Sequence, residues 1–500
     1  MLGAVVVISF IAFTGHGLIR DPDFWWHIRT GEWIVQHNLR LPGHDIYTFW
    51  GNPSVWTDHE WLSEVGMWLL YSSTGALGIV VAFSLVTLAG LVFLILRSAM
   101  SRPPYLILGA GLLLGVVTGA PIWGPRPQML EFCFVALELL WLARYLRDEP
   151  RGGLDPRHWP GIYWLPLLMI AWVNLHGSWP SAFLFLGAAI AAQAWSWLAL
   201  KQAAAKRRVV VLIWVTALSV AALLLTPNGP AELLYPFQTQ GSTAQQALIE
   251  EWFSPDFHQI FLRPFEVMLF VALVGFMAKR PNLYSSLLVL GTLAMSLQSV
   301  RHIALFILVA TPALIDSYSR IWREDATPWL AKQAWGARLG HVLQPSPTKP
   351  ASAVLVAVTW LVLSGFAVAN LVYQSQGQAA FDSSDYPVAA TNWLLSSPQD
   401  GMCKRIYNQY GWGGYMVYRL YGSDHQVYIF GEAALMGDTH LNQYEDVAIV
   451  APDWQKILTD AGVDCVVYNR GTAIVDALAV DTQAWHRVYQ DTVTEIYVRN

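Results

Sequence analysis

Eleven blocks of apolar residues punctuate the first three-quarters of this chain, at about 2–19, 76–96, 104–122, 128–146, 162–175, 179–199, 209–225, 264–278, 283–299, 302–317 and 351–373. A helix crossing a bilayer needs about 17–25 such residues. A globular core does not call for so many blocks of that length. The 500 residues are 55% hydrophobic and only 13% charged, where soluble domains carry about a quarter. The pattern predicts an α-helical polytopic membrane protein of about eleven spans. The first block lacks a basic lead and a small-residue cleavage site, so it reads as a retained span.

The connecting segments set the orientation. With the N-terminus inside, the cytoplasmic loops hold Arg97 and Arg102, then Arg144, Arg147, Arg151 and Arg157. Lys201, Lys206, Arg207 and Arg208 follow, then Lys279 and Arg280, then Arg320, Arg323, Lys332, Arg338 and Lys349. Five basic loops on one side satisfy the positive-inside rule. Segments 20–75, 123–127, 174–180, 226–263 and 299–301 then lie outside, with the tail from about 374. The many Trp between spans suit the headgroup zone. The net charge of −5 says little as a total, and nothing basic enough for nucleic-acid binding appears.

The expected organisation is a membrane domain over 1–373, with interfacial helices in its loop 20–75, and an extracytoplasmic α/β domain over 374–500. In the tail, β-rich runs occur at Lys404–Tyr407, Gln426–Phe430, Asp464–Tyr468, Trp485–Gln490 and Val493–Arg499, with helical stretches at Tyr386–Leu395 and Asp453–Ala461. Cys403 and Cys465 both lie there, and an exported domain would let them form one disulfide. Cys133, inside an apolar block, reads as a packed thiol.

The chemically informative residues fall on the outer side. Asp21-Pro-Asp-Phe-Trp-Trp-His27 follows the first block directly, so Asp21, Asp23 and His27 sit at the membrane boundary, where charge is costly unless it meets water, a partner or a substrate. The stretch Trp26 to Asn38 has the spacing of an amphipathic surface helix. A second cluster, Asp58, His59 and Glu60, lies between Trp56 and Trp61. Asp58 taken alone reads more readily as a helix cap. Carboxylates here could act as a general base or hold Mg²⁺ or Mn²⁺; if a metal is present, Asp21 and Asp23 are its expected ligands.

Further along, Arg126 and Gln128 lie in Gly-Pro-Arg-Pro-Gln, Asn174 and His176 in Trp-Val-Asn-Leu-His-Gly, and Glu251 in the long loop. Arg301 and His302 separate the ninth and tenth blocks. Arg126 and Arg301 have the chemistry to grip a phosphate, or simply to snorkel to the headgroups. Glu250 and Glu251 could meet an acceptor or hold their loop to an external arginine.

Taken together, Asp21-Pro-Asp-Phe-Trp-Trp-His-Ile-Arg-Thr-Gly31, Leu41-Pro-Gly-His-Asp45, His59-Glu-Trp-Leu62, Arg126-Pro-Gln128, Trp172-Val-Asn-Leu-His-Gly177, Glu251-Trp252, Arg301-His302, Tyr410-Gly-Trp-Gly-Gly-Tyr415 and Trp485–Arg499 resemble a bacterial family of integral membrane proteins in the GT-C glycosyltransferase superfamily. The resemblance implies a sugar donor on a polyprenyl phosphate and a glycan, lipid or protein acceptor outside the cytoplasm, in a bacterial inner membrane. It implies Asp23 as base, with Asp21 orienting it or sharing a divalent metal. His27, Asp58, His59, Glu60, Gln128, Asn174, His176, Glu251 and His302 are then expected to bind substrate, and Arg126 and Arg301 to stabilise the departing phosphate. Glu432 is a departure, standing where relatives are expected to carry an arginine. Two other classes compete: a non-catalytic subunit of this fold binding a membrane complex or lipid, and a transporter. Mid-span charge is scarce and polar residues cluster on one side, which disfavours transport.

Overall fold

The computed structural model describes residues 19, 21–51, 55–147, 161–333, 386–396 and 402–500. The expected span 351–373 lies outside them, as do 2–19 apart from Ile19, and Arg151, Arg157, Arg338 and Lys349. Nine of the apolar blocks fall on helices: Trp61–Ala99, Tyr105–Gly119, Gln128–Leu146, Leu165–Leu175, Pro180–Leu198, Ala203–Ala222, Arg263–Ala278, Leu283–Gln298 and Ile303–Ile321. Five helical stretches among the described residues have the length and apolarity to cross a bilayer: Trp61–Ala99, Tyr105–Ile122, Pro180–Leu198, Ile260–Ala278 and Val300–Leu330.

The chain forms two compact units. The first draws on Val81–Thr226 and Glu251–Tyr373. Its central element is Ile303–Ile321, buried along almost its whole length. Tyr105–Gly119 packs on it through Gly111, Gly115 and Gly119, where any side chain would collide with Ile315, Thr311 and Ile307 in turn. Small residues every fourth position let two helix backbones approach closely, the usual device of helix packing in lipid. Around this pair the other helices keep apolar residues exposed, among them Leu85, Trp214, Phe270, Met277 and Leu290. Such a surface suits hydrocarbon and not water.

The second unit draws on Gly17–Val80, Pro227–Glu250 and Gln374–Asn500. The external loop and part of the long loop thus group with the tail. Five strands, β1 (Arg405–Asn408), β2 (Gln426–Val427), β3 (Cys465–Asn469), β4 (Trp485–Gln490) and β5 (Thr494–Arg499), form one sheet in the order β2-β1-β3-β5-β4. β1 runs parallel to β2 and β3, while β5 runs antiparallel to β3 and β4. A disulfide joins Cys403 to Cys465, with Cα atoms 4.7 Å apart. The run Gln426–Phe430 was expected to be a longer strand than it is. Beyond Val427 the Tyr428 and Ile429 amides donate to the Asn408 side-chain oxygen, at 3.0 and 3.3 Å, and leave the ladder.

The helix expected over 26–38 runs from Phe24 to Gln36. Its sequence pattern predicted one wet face. Arg29, Glu32, Trp33 and Gln36 keep that side partly exposed, while Phe24, Trp25, Trp26, His27, Ile28, Thr30, Gly31 and Ile34 are buried. Tail aromatics cover it: Trp25 meets Tyr386, Tyr415 and Tyr418 edge-on or tilted, and Trp26 meets Phe430. Arg29 donates to the Tyr418 carbonyl at 2.7 Å. These contacts join segments far apart in sequence, so the local pattern could not show them.

Candidate functional site

The helical unit gathers one polar cluster. Pro125 and Pro127 break the chain before Gln128–Leu146, and Arg126 sits in that break. Its guanidinium donates to Glu251, an ion pair that is partly exposed. Glu251 is held from behind: its carbonyl accepts from Ser299 Oγ at 2.7 Å, and the Val300 amide donates to the Phe253 carbonyl at 3.0 Å. The Arg301 guanidinium lies over the Trp252 ring, 4.6 Å from its centre, a cation–π placement. Burial works against ionising Glu251, yet Arg126, Arg301 and His176 together hold its carboxyl below the usual range. Glu251 thus does hold its loop to an arginine, one of the two roles open to it from the sequence.

The neighbours of this cluster are partly committed to structure. Asn174 donates to the carbonyls of Ile170 and Leu225, at 2.8 and 2.9 Å. His176 Nδ1 pairs with Ser178 Oγ at 2.6 Å. The His302 ring meets Trp252 edge-on, 6.3 Å between centres. Gln128 is buried at the start of its helix.

The second unit holds a chain of alternating acids and imidazoles. His27 Nδ1 meets Glu64 Oε1 at 2.9 Å, and His27 Nε2 meets Glu60 Oε2 at 3.5 Å. Glu60 Oε1 then meets His59 Nε2 at 3.2 Å. At one end Asp58 shares a side-chain hydrogen bond with Glu64. At the other, His59 stacks on Tyr235, whose hydroxyl donates to Glu432 at 3.4 Å. Asn228 ties Glu232 in at 3.0 Å. His27, Asp58, Glu60, Glu64, Glu232 and Glu432 are all buried. Asp58 also accepts from the Glu60 amide at 3.3 Å, in the turn just before the helix Trp61–Ala99, so it shapes the approach to that helix as well as joining the network.

The sequence singled out His27, Asp58, His59 and Glu60 but not Glu64, Glu232 or Tyr235. The signal for Glu64 was present: it follows Glu60 by one helical turn and shares its face. Glu432, noted only as a departure, belongs to the same network.

The charge states follow from burial and from neighbours. Burial opposes protonation of His59, but Glu60, and then Glu432 and Glu232, outweigh it and raise its pKa to about 9. Burial lowers His27 to about 4, with Glu60 opposing. Burial pushes Asp58 up to about 7 against the pull of His59. Glu432 is likewise raised by burial, with His59 opposing.

These shifts have signs that can be summed. Between pH 6.5, the ordinary histidine value, and 9, the unfolded chain gives up the His59 proton that the folded chain keeps. Stability therefore falls as pH rises through that window. Asp58 adds a fall between 3.8 and about 7. His27 opposes it between about 4 and 6.5, where the unfolded chain takes a proton the folded ring refuses. The net expectation is a thermal midpoint for this unit that drops from pH 6.5 to 9. His59→Gln flattens that slope; an unchanged slope contradicts the assignment.

Asp21 and Asp23 open the helix Phe24–Gln36. Asp21 Oδ1 accepts from the Asp23 amide at 3.0 Å, and Asp23 Oδ1 accepts from Trp26 Nε1 at 3.0 Å. Two glycines of the tail, Gly414 of the Tyr410–Tyr415 motif and Gly431 beside Glu432, make room here. A side chain at Gly431 would strike the Asp23 carboxylate and the Trp26 indole nitrogen, and one at Gly414 would strike the Pro22 carbonyl. Gly431→Ala is expected to push the Asp23 carboxylate aside and leave the fold largely intact. The check is the indole environment of Trp26 by fluorescence, alongside thermal unfolding. An unshifted spectrum counts against close packing of Gly431 on Asp23.

A divalent metal fits these residues poorly. Each of the two aspartates already accepts a local N–H through Oδ1. Among the described residues no group of three or more His, Cys, Asp or Glu side chains has metal-holding geometry. No step is therefore assigned to a metal.

No known family profile matches the sequence, and no curated protein does. Solved structures do match. The oligosaccharyltransferase of Archaeoglobus fulgidus in its apo form overlays on all of this chain and 74% of its own, with a TM-score of 0.55 and 13% identity. The same organism's enzyme tethered to an acceptor peptide containing the NVT sequon gives a TM-score of 0.53 at 12% identity, covering 100% of this chain and 73% of that one. AglB from Archaeoglobus fulgidus, in complex with an inhibitory peptide and a dolichol-phosphate, gives 0.51 and 12%, covering 100% and 74%. This chain is thus an α-helical polytopic membrane protein of GT-C-like fold with a β-containing C-terminal region.

Proposed function

We propose that this chain, whose fold is GT-C-like, is a bacterial inner-membrane glycosyltransferase that moves a sugar from a polyprenyl-phosphate donor to an acceptor outside the cytoplasm. It crosses the membrane about eleven times, with its N-terminus inside and the region 374–500 outside. The fold alone does not fix the chemistry. The observation that carries the reading is the convergence of Arg126, Arg301, Glu251 and Trp252 at a break between apolar helices. Two guanidinium groups together have the chemistry to take an anion, and the fold is shared with an enzyme solved with dolichol-phosphate.

In this reading Asp23 takes the proton of the acceptor nucleophile. That nucleophile attacks the anomeric carbon while the bond from carbon to phosphate oxygen breaks. The direct displacement inverts the anomeric centre. Arg126 and Arg301 stabilise the charge that grows on the leaving phosphate. Asp21 fixes the start of the Asp23 helix by accepting its backbone amide.

The test is turnover of a panel of undecaprenyl-phosphate sugars by the purified protein, followed as release of undecaprenyl phosphate. Wild type is expected to release it from one donor of the panel, and Arg301→Ala to cut the rate by about 10²–10³-fold, the usual loss when one charge-stabilising group is removed. Equal rates in the two proteins contradict the assigned role.

A further inference from the structure

The seat around Arg126 and Arg301 already contains a fixed anion, and its charge sum points to what the seat accepts. Two guanidinium groups face Glu251. Glu131, bonded to Ser178 and Ser181, also faces Arg301. Leaving His176 and His302 aside, two positive charges meet one carboxylate, or two when Glu131 is ionised. The cluster therefore carries at most one positive charge in excess. Glu251 is also hard to move away, because Ser299 and Val300 pin its short turn.

We infer that Glu251 is a charge filter, which tunes this seat to a singly charged phosphodiester and disfavours a doubly charged phosphate monoester. The inference rests on the transferase reading and names the ionic form of substrate that the site selects. A polyprenyl-phosphate sugar is a diester with one negative charge. Transfer breaks the bond between the anomeric carbon and the phosphate oxygen, and the electron pair stays on that oxygen. The acceptor's proton goes to Asp23. The lipid product is then a monoester, doubly charged above its second pKa of about 6. Beside Glu251 the new charge is repelled, so the seat holds donor better than product. Without this carboxylate, product would accumulate on the arginines.

The filter can be tested without knowing the sugar. Farnesyl phosphate serves as the monoester probe and its methyl diester as the singly charged one, each titrated against the full-length protein in detergent. At pH 7.5, Glu251→Gln is expected to tighten farnesyl phosphate by about tenfold and the methyl diester far less, since one like charge at close range has been removed. Wild type should also bind farnesyl phosphate more tightly as pH falls from 7.5 to 5, while the diester stays nearly constant. Arg126→Ala should weaken both probes. If Glu251→Gln weakens the monoester, or shifts both probes equally, the filter is wrong and the phosphate seat stands. If the pH series shows no strengthening for the wild-type monoester, the filter is wrong as well. If Arg126→Ala and Arg301→Ala both bind the probes as wild type does, or wild type binds neither, the phosphate seat itself is wrong.

Discussion

Asp23→Asn is expected to lower sugar transfer by about 10²–10⁴-fold, the usual contribution of a positioned general base. The change is nearly isosteric. Asparagine keeps an oxygen that can accept from Trp26 Nε1, the bond that Asp23 makes at 3.0 Å. It also leaves the backbone in place, where Asp21 accepts the residue's amide. Folding should therefore survive while proton acceptance is lost. The loss should fall on kcat, because the base acts in the transition state, with KM for the lipid donor little changed. Asp21→Asn should have a smaller effect, since its oxygen acts through the position of Asp23. The measurement is steady-state release of polyprenyl phosphate by proteins matched for thermal stability. Full activity in Asp23→Asn removes this residue from the chemistry.

The second large effect concerns stability. Glu60→Leu removes the acid that joins His27 to His59, contacts of 3.5 and 3.2 Å in a buried setting. His59 then loses the partner that does most to keep it charged against burial, and His27 loses one side of its bridge between two acids. Breaking a buried charged pair on one side typically costs about 3–5 kcal/mol, because the remaining charge stays desolvated. The expected result is a large fall in the thermal midpoint, with the near-ultraviolet signal of the surrounding Trp and Tyr lost first. Glu60→Gln should cost less, since its amide oxygen still accepts from one ring. A Glu60→Leu protein as stable as wild type would mean that the acid–imidazole chain contributes little to holding this unit together.

Much of this organisation was legible along the chain because membrane helices announce themselves by composition. The nine described blocks all fall on helices, although the helix Trp61–Ala99 begins well before its block at 76, and the strand pair at the end of the chain lies where alternation placed it. The clusters were legible only in part. His27, His59 and Glu60 stood out because charges beside tryptophans at a membrane boundary need a reason. Glu64 could be read from its spacing of one helical turn after Glu60, but Glu232, Tyr235 and Glu432 come from segments far along the chain. The same distance hid the burial of Phe24–Gln36, because its cover is the tail. The glycines of Tyr410-Gly-Trp-Gly-Gly-Tyr415 stood out as a motif, but the space Gly414 leaves for Pro22 exists only in three dimensions. Arg126 and Glu251 were each noted, and no local rule could pair residues so far apart.

Recognition of a lipid phosphate is the claim on which the transfer chemistry depends, and native mass spectrometry of the protein purified from its own membrane tests it directly. Wild type is predicted to carry a bound species with the mass of a polyprenyl phosphate or its sugar ester, and the Arg126→Ala, Arg301→Ala double variant is predicted to lack it. A wild-type protein free of such lipid after gentle extraction, or a double variant that retains it undiminished, would contradict the account.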